Sequence, residues 1–153
     1  MAGTTIIYPT SPPKPTAVAD LGITRSKIQR LYESPEIGFV FDEVVLPDGT
    51  PRASGRSPDG LVLLVLTGPL DRLESVSITI GVHRDRLLLR LAYAIGLLEN
   101  VIPDWVGAAT WFNDAVEESV VGDPVQTVVR RGKRVTLTND ASRLVHLDIE
   151  VAR

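Results

Sequence analysis

Residues 57–80 read SPDGLVLLVLTGPLDRLESVSITI, two apolar runs set between turn signals. Ser57-Pro58-Asp59-Gly60 is a turn with a mechanism: proline presets φ at its second position and glycine tolerates the close. Leu61 to Leu66 is then continuously apolar, the pattern of a central strand covered on both faces. Gly68-Pro69 breaks it. Beyond the break Val76, Ile78 and Ile80 alternate with Ser75, Ser77 and Thr79, which predicts a strand with one buried and one wet face. Upstream, Phe39 and Phe41 alternate with Val40 and Asp42, and Pro47-Asp48-Gly49 supplies another turn. Four strands therefore follow one another. Their connections are too short for crossovers, so the hairpins are antiparallel.

Helices flank this meander. Thr24 is placed to cap the free amides of Arg25-Ser26-Lys27, with Ile23 and Ile28 at the positions of a hydrophobic staple. Ile28, Leu31 and Tyr32 give that first helix one apolar face, and Pro35 closes it. A long helix is expected from about Arg84 to Val101. At ~100° per residue, Leu87, Leu88, Leu91, Ala94, Ile95, Leu98 and Val101 share its main arc. Leu89, Tyr93 and Gly96 lie on the far side, so it should touch the sheet with one side and another helix with the other. Pro103 stops it, and Asp104 is placed to cap a third helix that carries Trp105, Ala109, Phe112 and Val116 on one face. Gly122-Asp123-Pro124 ends that helix. Val125 to Arg130 then meets Lys133 to Thr138 through Arg131-Gly132. After Asn139-Asp140-Ala141-Ser142 comes a last strand, with Val145, Leu147, Ile149 and Val151 on one side and His146, Asp148 and Glu150 on the other. The order α-β-β-β-β-α-α-β-β-β predicts an α+β fold, an antiparallel sheet of about seven strands with helices packed on one face.

Residues 1–20 read differently. Pro9, Pro12, Pro13 and Pro15 among Thr, Ser and Ala predict an extended, linker-like tail, with Thr4 to Tyr8 as a short added strand. Residues 21–153 form the single folded domain. The 153 residues, 44% hydrophobic and 23% charged, suit one domain with a real core. No run of about 18 apolar residues occurs, so no membrane span is expected, and the start lacks the pattern of a signal peptide.

Composition narrows the chemistry. There is no cysteine, which excludes disulfides, thiolate catalysis and thiolate metal sites. His83 and His146 are the two histidines, and nothing spaces them as metal ligands. The formal net charge of −3 gives no global field for polyanions. Asp42-Glu43, Asp114 with Glu117-Glu118, and Asp148 with Glu150 are the carboxylate groupings; the Asp114–Glu118 set lies on the polar face of an amphipathic helix and reads as a solvated face. Neither a nucleophile elbow nor a phosphate-cradling glycine loop is present. No catalytic residue, cofactor site or metal site is assigned, and the balance is against an enzyme.

Two local features point to contacts instead. Trp111 stands at the margin of its helix's apolar arc, next to Glu118 by projection, placed either to pack on a neighbouring helix beside Leu89 and Tyr93 or to anchor a contact. Trp111 and Tyr93 are therefore the candidate residues for holding a ligand or a partner. Arg130, Arg131, Lys133 and Arg134 cluster at one hairpin, the place where a β-ribbon would enter a nucleic-acid groove. No aromatic residue interleaves with them in sequence and the chain is acidic, so nucleic acid is not the expected partner.

Ser57-Pro58-Asp59-Gly60, the strand ending Leu66-Thr67-Gly68-Pro69, and Val101-Ile102-Pro103-Asp104-Trp105 through Trp111-Phe112 come in an order that resembles a known family. It is an uncharacterised bacterial domain found after Thr/Pro-rich linkers in predicted lipoproteins and other exported proteins. The resemblance covers residues 20–151. It implies no activity, so no functional residue is carried over. It does imply that the Pro-rich start tethers a domain outside the cytoplasm. The chain has neither a lipid-bearing cysteine nor a leader, so this extracytoplasmic setting supposes a native beginning other than Met1-Ala2-Gly3.

The function expected is thus a non-catalytic, extracytoplasmic binding or protein-interaction module, using the open sheet face or the Tyr93 and Trp111 region. Its partner would be another protein or an unidentified ligand, with no cofactor. The alternatives are a small enzyme whose groups converge only in three dimensions, and a regulator that binds nucleic acid through residues 130–134. Edge pairing of the sheet into a homodimer is left open by the sequence.

Overall fold

The structure, a computed structural model, describes residues 19–82, 87–140 and 143–152. The Pro-rich start with the strand expected at Thr4 to Tyr8, His83, residues 84–86 of the long helix, and Ala141-Ser142 lie outside the described residues. The elements are α1 (Arg25–Glu33), β1 (Val40–Val45), β2 (Pro51–Arg56), β3 (Val62–Thr67) and β4 (Ser75–Gly81). They continue with α2 (Leu87–Val101), α3 (Ala108–Val121), β5 (Val125–Arg130), β6 (Lys133–Asn139) and β7 (Leu144–Val151). The order is the expected one. All strands join one antiparallel sheet in the spatial order β1-β2-β3-β4-β7-β6-β5. The first four strands form a meander, and the last strand lies between β4 and β6.

Period-two alternation gives the sheet two unlike faces. Val62, Leu64 and Leu66 of β3, Val76, Ile78 and Ile80 of β4, Val145, Leu147 and Ile149 of β7, and Val135 and Leu137 of β6 are all buried. The helices cover this face: α1 contacts β1 and β3, α2 contacts β4, and α3 contacts β5, β6 and α2. Leu63 and Val65 point to the other face and are only half-buried. The continuous run at 61–66 therefore does not mark a strand covered on both sides. No described element packs over its second face.

Helices α1 and α2 are each fixed by polar contacts as well as by an apolar stripe. The Thr24 hydroxyl accepts from the Lys27 amide at 3.2 Å, as its position predicts. Arg25, 1% exposed, donates to the Gly68 carbonyl at 3.0 Å and to Glu43 of β1. In α2 the buried set is Arg90, Ala94, Leu97, Leu98 and Val101, while Leu88 is 83% exposed. The expected arc is thus turned. Arg90 donates to Asp59 at 3.2 Å and to the Gly81 carbonyl at 3.3 Å, and this pairing draws the helix onto the 57–60 turn. Asp59 also accepts from the Ser57 hydroxyl at 2.6 Å and the Leu61 amide at 3.0 Å, so its carboxyl is held below the usual range.

The third helix starts later than its spacing suggests. The Trp105 amide donates to Ile102 and the Ala108 amide to Trp105, two tight i→i−3 turns that keep Trp105 out of the helix. Gly107 occupies the N-cap with no side-chain bond, so Asp104 does not cap it. At the end of α2, Lys133 Nζ donates to the Val101 carbonyl at 2.6 Å. This places a cation at the negative end of the helix dipole. Burial pulls its pKa down.

Candidate functional site

The uncovered face of the sheet is built from cross-strand rows that the register defines. One row runs Val44, Arg52, Thr67, Ser75, Glu150, Arg134 and Val129. The next runs Asp42, Ser54, Val65, Ser77, Asp148, Thr136 and Thr127. The third runs Val40, Arg56, Leu63, Thr79, His146, Thr138 and Val125. Hydroxyls fill the middle, and exposed valines stand at both edges: Val40 and Val44 on β1, Val125 and Val129 on β5. The charges balance, Asp42, Asp148 and Glu150 against Arg52, Arg56 and Arg134. Arg134 and Glu150 lie 3.7 Å apart.

A hydrogen-bonded chain lies in the third row. Thr79 Oγ1 is 3.0 Å from His146 Nδ1, and His146 Nε2 is 2.9 Å from Asp140 Oδ2. A carboxylate only accepts, so a neutral imidazole donates from Nε2 and accepts the Thr79 hydroxyl at Nδ1. The ring is about one-third exposed. Beside it in the middle row, burial pushes the Asp148 carboxyl up, against the opposing charge of His146 and a bond from Ser77. Asp140 also borders an open recess of ≈ 700 Å³ with Val82, Ser119, Val120, Asn139 and Arg143.

Chemically the chain Thr79–His146–Asp140 has the order hydroxyl, base, acid. Thr79 is in a strand paired on both sides, opposite Leu63 and His146. The backbone amides around it belong to the ladder, which provides no oxyanion donors there. No group of three or more metal-ligating side chains forms among the described residues. What the arrangement does well is hold a half-buried imidazole and a carboxyl in fixed positions on an otherwise neutral, hydroxyl-rich surface.

The structure places the residues singled out from the sequence in separate regions. Tyr93 joins an aromatic cluster with Tyr32 and Phe39, its ring 5.2 Å from Phe39, and its carbonyl accepts the Tyr32 hydroxyl at 2.6 Å. Burial pushes that hydroxyl's pKa up. Trp111 instead pairs with Trp105 at 5.5 Å, half-buried, in a groove with Asp114, Ala115, Glu118 and Gln126. The four cations divide between faces. Arg130 lies 5.6 Å from the Trp105 ring centre and Lys133 is bound at α2, both on the helix side, while Arg134 is on the open face and Arg131 is exposed in the turn. An aromatic partner for Arg130 is thus supplied from 25 residues away in sequence, which spacing within the cluster does not reveal.

The sequence reading places Thr79 on a wet strand face, Asp140 in a turn and His146 on a polar strand face, but assigns none of them to a site. The two polar sets, Ser75-Ser77-Thr79 and His146-Asp148-Glu150, were visible as alternation. What was not visible is that β4 and β7 are neighbours. No protein-family model matches this chain, and no curated protein or solved structure is significantly similar to it.

Proposed function

We propose that this chain is a non-catalytic binding module that presents its uncovered sheet face to a protein partner or a ligand, in an exported setting. One observation carries the proposal: seven strands expose a continuous face of three rows over which no described element packs. Six interstrand gaps of ~4.8 Å make it about 29 Å wide, comparable to the ~32 Å across a round ~800 Å² patch of the kind one partner contributes to a standard interface. Balanced charge and dense hydroxyls suit a polar, mixed-charge surface better than a polyanion. The cations at 130–134, split between faces, do not form the stripe a groove reader needs.

A thermal-shift screen with peptides, sugars, cell-wall fragments, lipids and short DNA tests this. A native-state ligand at a hundredfold excess over Kd stabilises by about 2.7 kcal/mol. The doubly substituted Ser77→Lys, Thr136→Lys protein should lose the shift, and Leu88→Lys on the helix side should keep it. A shift that survives both lysines places binding elsewhere and overturns the proposal. Fractionation of the native precursor tests the exported setting, which fails if the protein stays in the cytoplasm.

A second function, hydrolysis through Thr79, is favoured by the hydroxyl–imidazole–carboxylate chain alone. Turnover of an activated ester that disappears in both Thr79→Val and His146→Ala would support it. Equal rates in all three proteins would dismiss it.

A further inference from the structure

The two edges of the sheet are not alike. β1 carries Asp42 and Glu43 in mid-strand, and charge of one sign blocks pairing of this edge with its own copy. β5, VQTVVR, has no charge before Arg130 and no proline within it. Its outward groups follow from its register. The Asn139 amide donates to the Pro124 carbonyl at 2.9 Å, so 124 and 139 form a hydrogen-bonded pair. Alternation then assigns 126, 128 and 130 to β6 and turns the main-chain groups of 125, 127 and 129 outward. The hairpin agrees, because Arg131 and Gly132 both have positive φ, 53° and 74°, as a two-residue turn closing on 130 and 133 requires. The Val125 amide is bound by the Asp123 carboxylate at 2.9 Å.

We infer that a second copy of this chain pairs along β5, antiparallel about a two-fold axis at Thr127. This register sets Thr127 opposite Thr127 of the second copy and Val129 opposite Val125 of the second copy. The outward amide and carbonyl of Thr127 are both satisfied, and the Val129 amide meets the Val125 carbonyl. On the open face, Val125 and Val129, 45% and 46% exposed in the single chain, stack against each other on either side of the axis. One step further out, Arg131 comes level with Asp123 of the second copy, twice by symmetry, so the ends of the strand are complementary in charge. On the helix side, the groove that holds Trp111 opens beside Gln126, at the same margin. The contact is isologous and closes on itself, so it yields a dimer rather than a fibre. It joins the two uncovered faces into one surface and holds whether or not that surface binds anything.

Sedimentation equilibrium over a series from about 1 μM to about 1 mM covers the ordinary range of association constants. The expected result is a mass rising to twice that of the chain. Thr127→Pro removes an outward amide that the single chain does not use, and proline is tolerated at such edge positions, so this variant should fold and stay monomeric. Val129→Lys, which keeps the backbone unchanged, should also be monomeric, so a folding failure of the proline variant leaves the inference open to refutation. Arg131→Asp should weaken association at least tenfold, and its combination with Asp123→Arg should restore it. A monomer throughout the series overturns the inference. So does a dimer that Thr127→Pro and Val129→Lys both leave intact.

Discussion

Asp59 and Asp148 are moved in opposite directions from the ordinary carboxylate range, and the cause differs in each. The Ser57 hydroxyl, then the Leu61 amide and Arg90, hold Asp59 low. Its folded pKa lies below its unfolded value, so its contribution is full above about pH 4 and is lost as pH falls through the folded value. Asp59→Asn should cost about 1 to 2 kcal/mol in urea unfolding at pH 7 and flatten the acid limb of the stability curve. An acid limb unchanged by the substitution would mean that the bonds from Ser57, Leu61 and Arg90 together contribute nothing. Asp148 is raised, first by burial. Its contribution is full below the unfolded pKa and is lost as pH rises through the folded one. Asp148→Asn should therefore raise Tm at pH 7 and leave it unchanged at pH 3. A lowered Tm at neutral pH would show that ionised Asp148 is held by more than Ser77 and His146.

At the scale of elements, α2 shows how a few polar atoms choose among apolar faces. Leu98→Ala, at a fully buried position, should cost about 2 to 5 kcal/mol. Leu88→Gln, on the turned-out side, should change stability by less than about 0.5 kcal/mol, as measured by the same urea melts. Comparable losses at both positions would refute the orientation described. The strands and their order were legible because period-two alternation needs only one wet face to be read, and β4 and β7 both have one. The first helix was legible because Thr24, Ile28 and Tyr32 all agree. The facing of α2 was not, since apolar residues surround that helix and the deciding pair, Arg90 with Asp59, spans 31 positions. The start of α3 was hidden for another reason: successive tight turns at 102–108 leave Trp105 aromatic-paired but non-helical. Thr79 and His146 meet across 67 positions, and no local pattern specifies which strands become neighbours.

At the scale of the molecule, the sheet is two hairpin systems joined by one strand. β1 to β4 pair in chain order and β5 pairs with β6, while β7 alone connects the two groups. Removal of residues 144–153 should abolish cooperative thermal unfolding, followed by circular dichroism, rather than shift its midpoint. A truncated chain that still melts in one sharp transition would show that the helices suffice to hold the two parts together. The position of β7 also bears on how the chain folds. Because β7 pairs with both β4 and β6, each of those strands keeps a bare interior edge until β7 docks, and β4 has no charged residue to guard it. The interval before β7 docks is when such a chain is most exposed to wrong pairing. A chain caught before β7 docks would be a sticky species with nearly all of its core residues formed into strands and helices and no way to bring the two groups together.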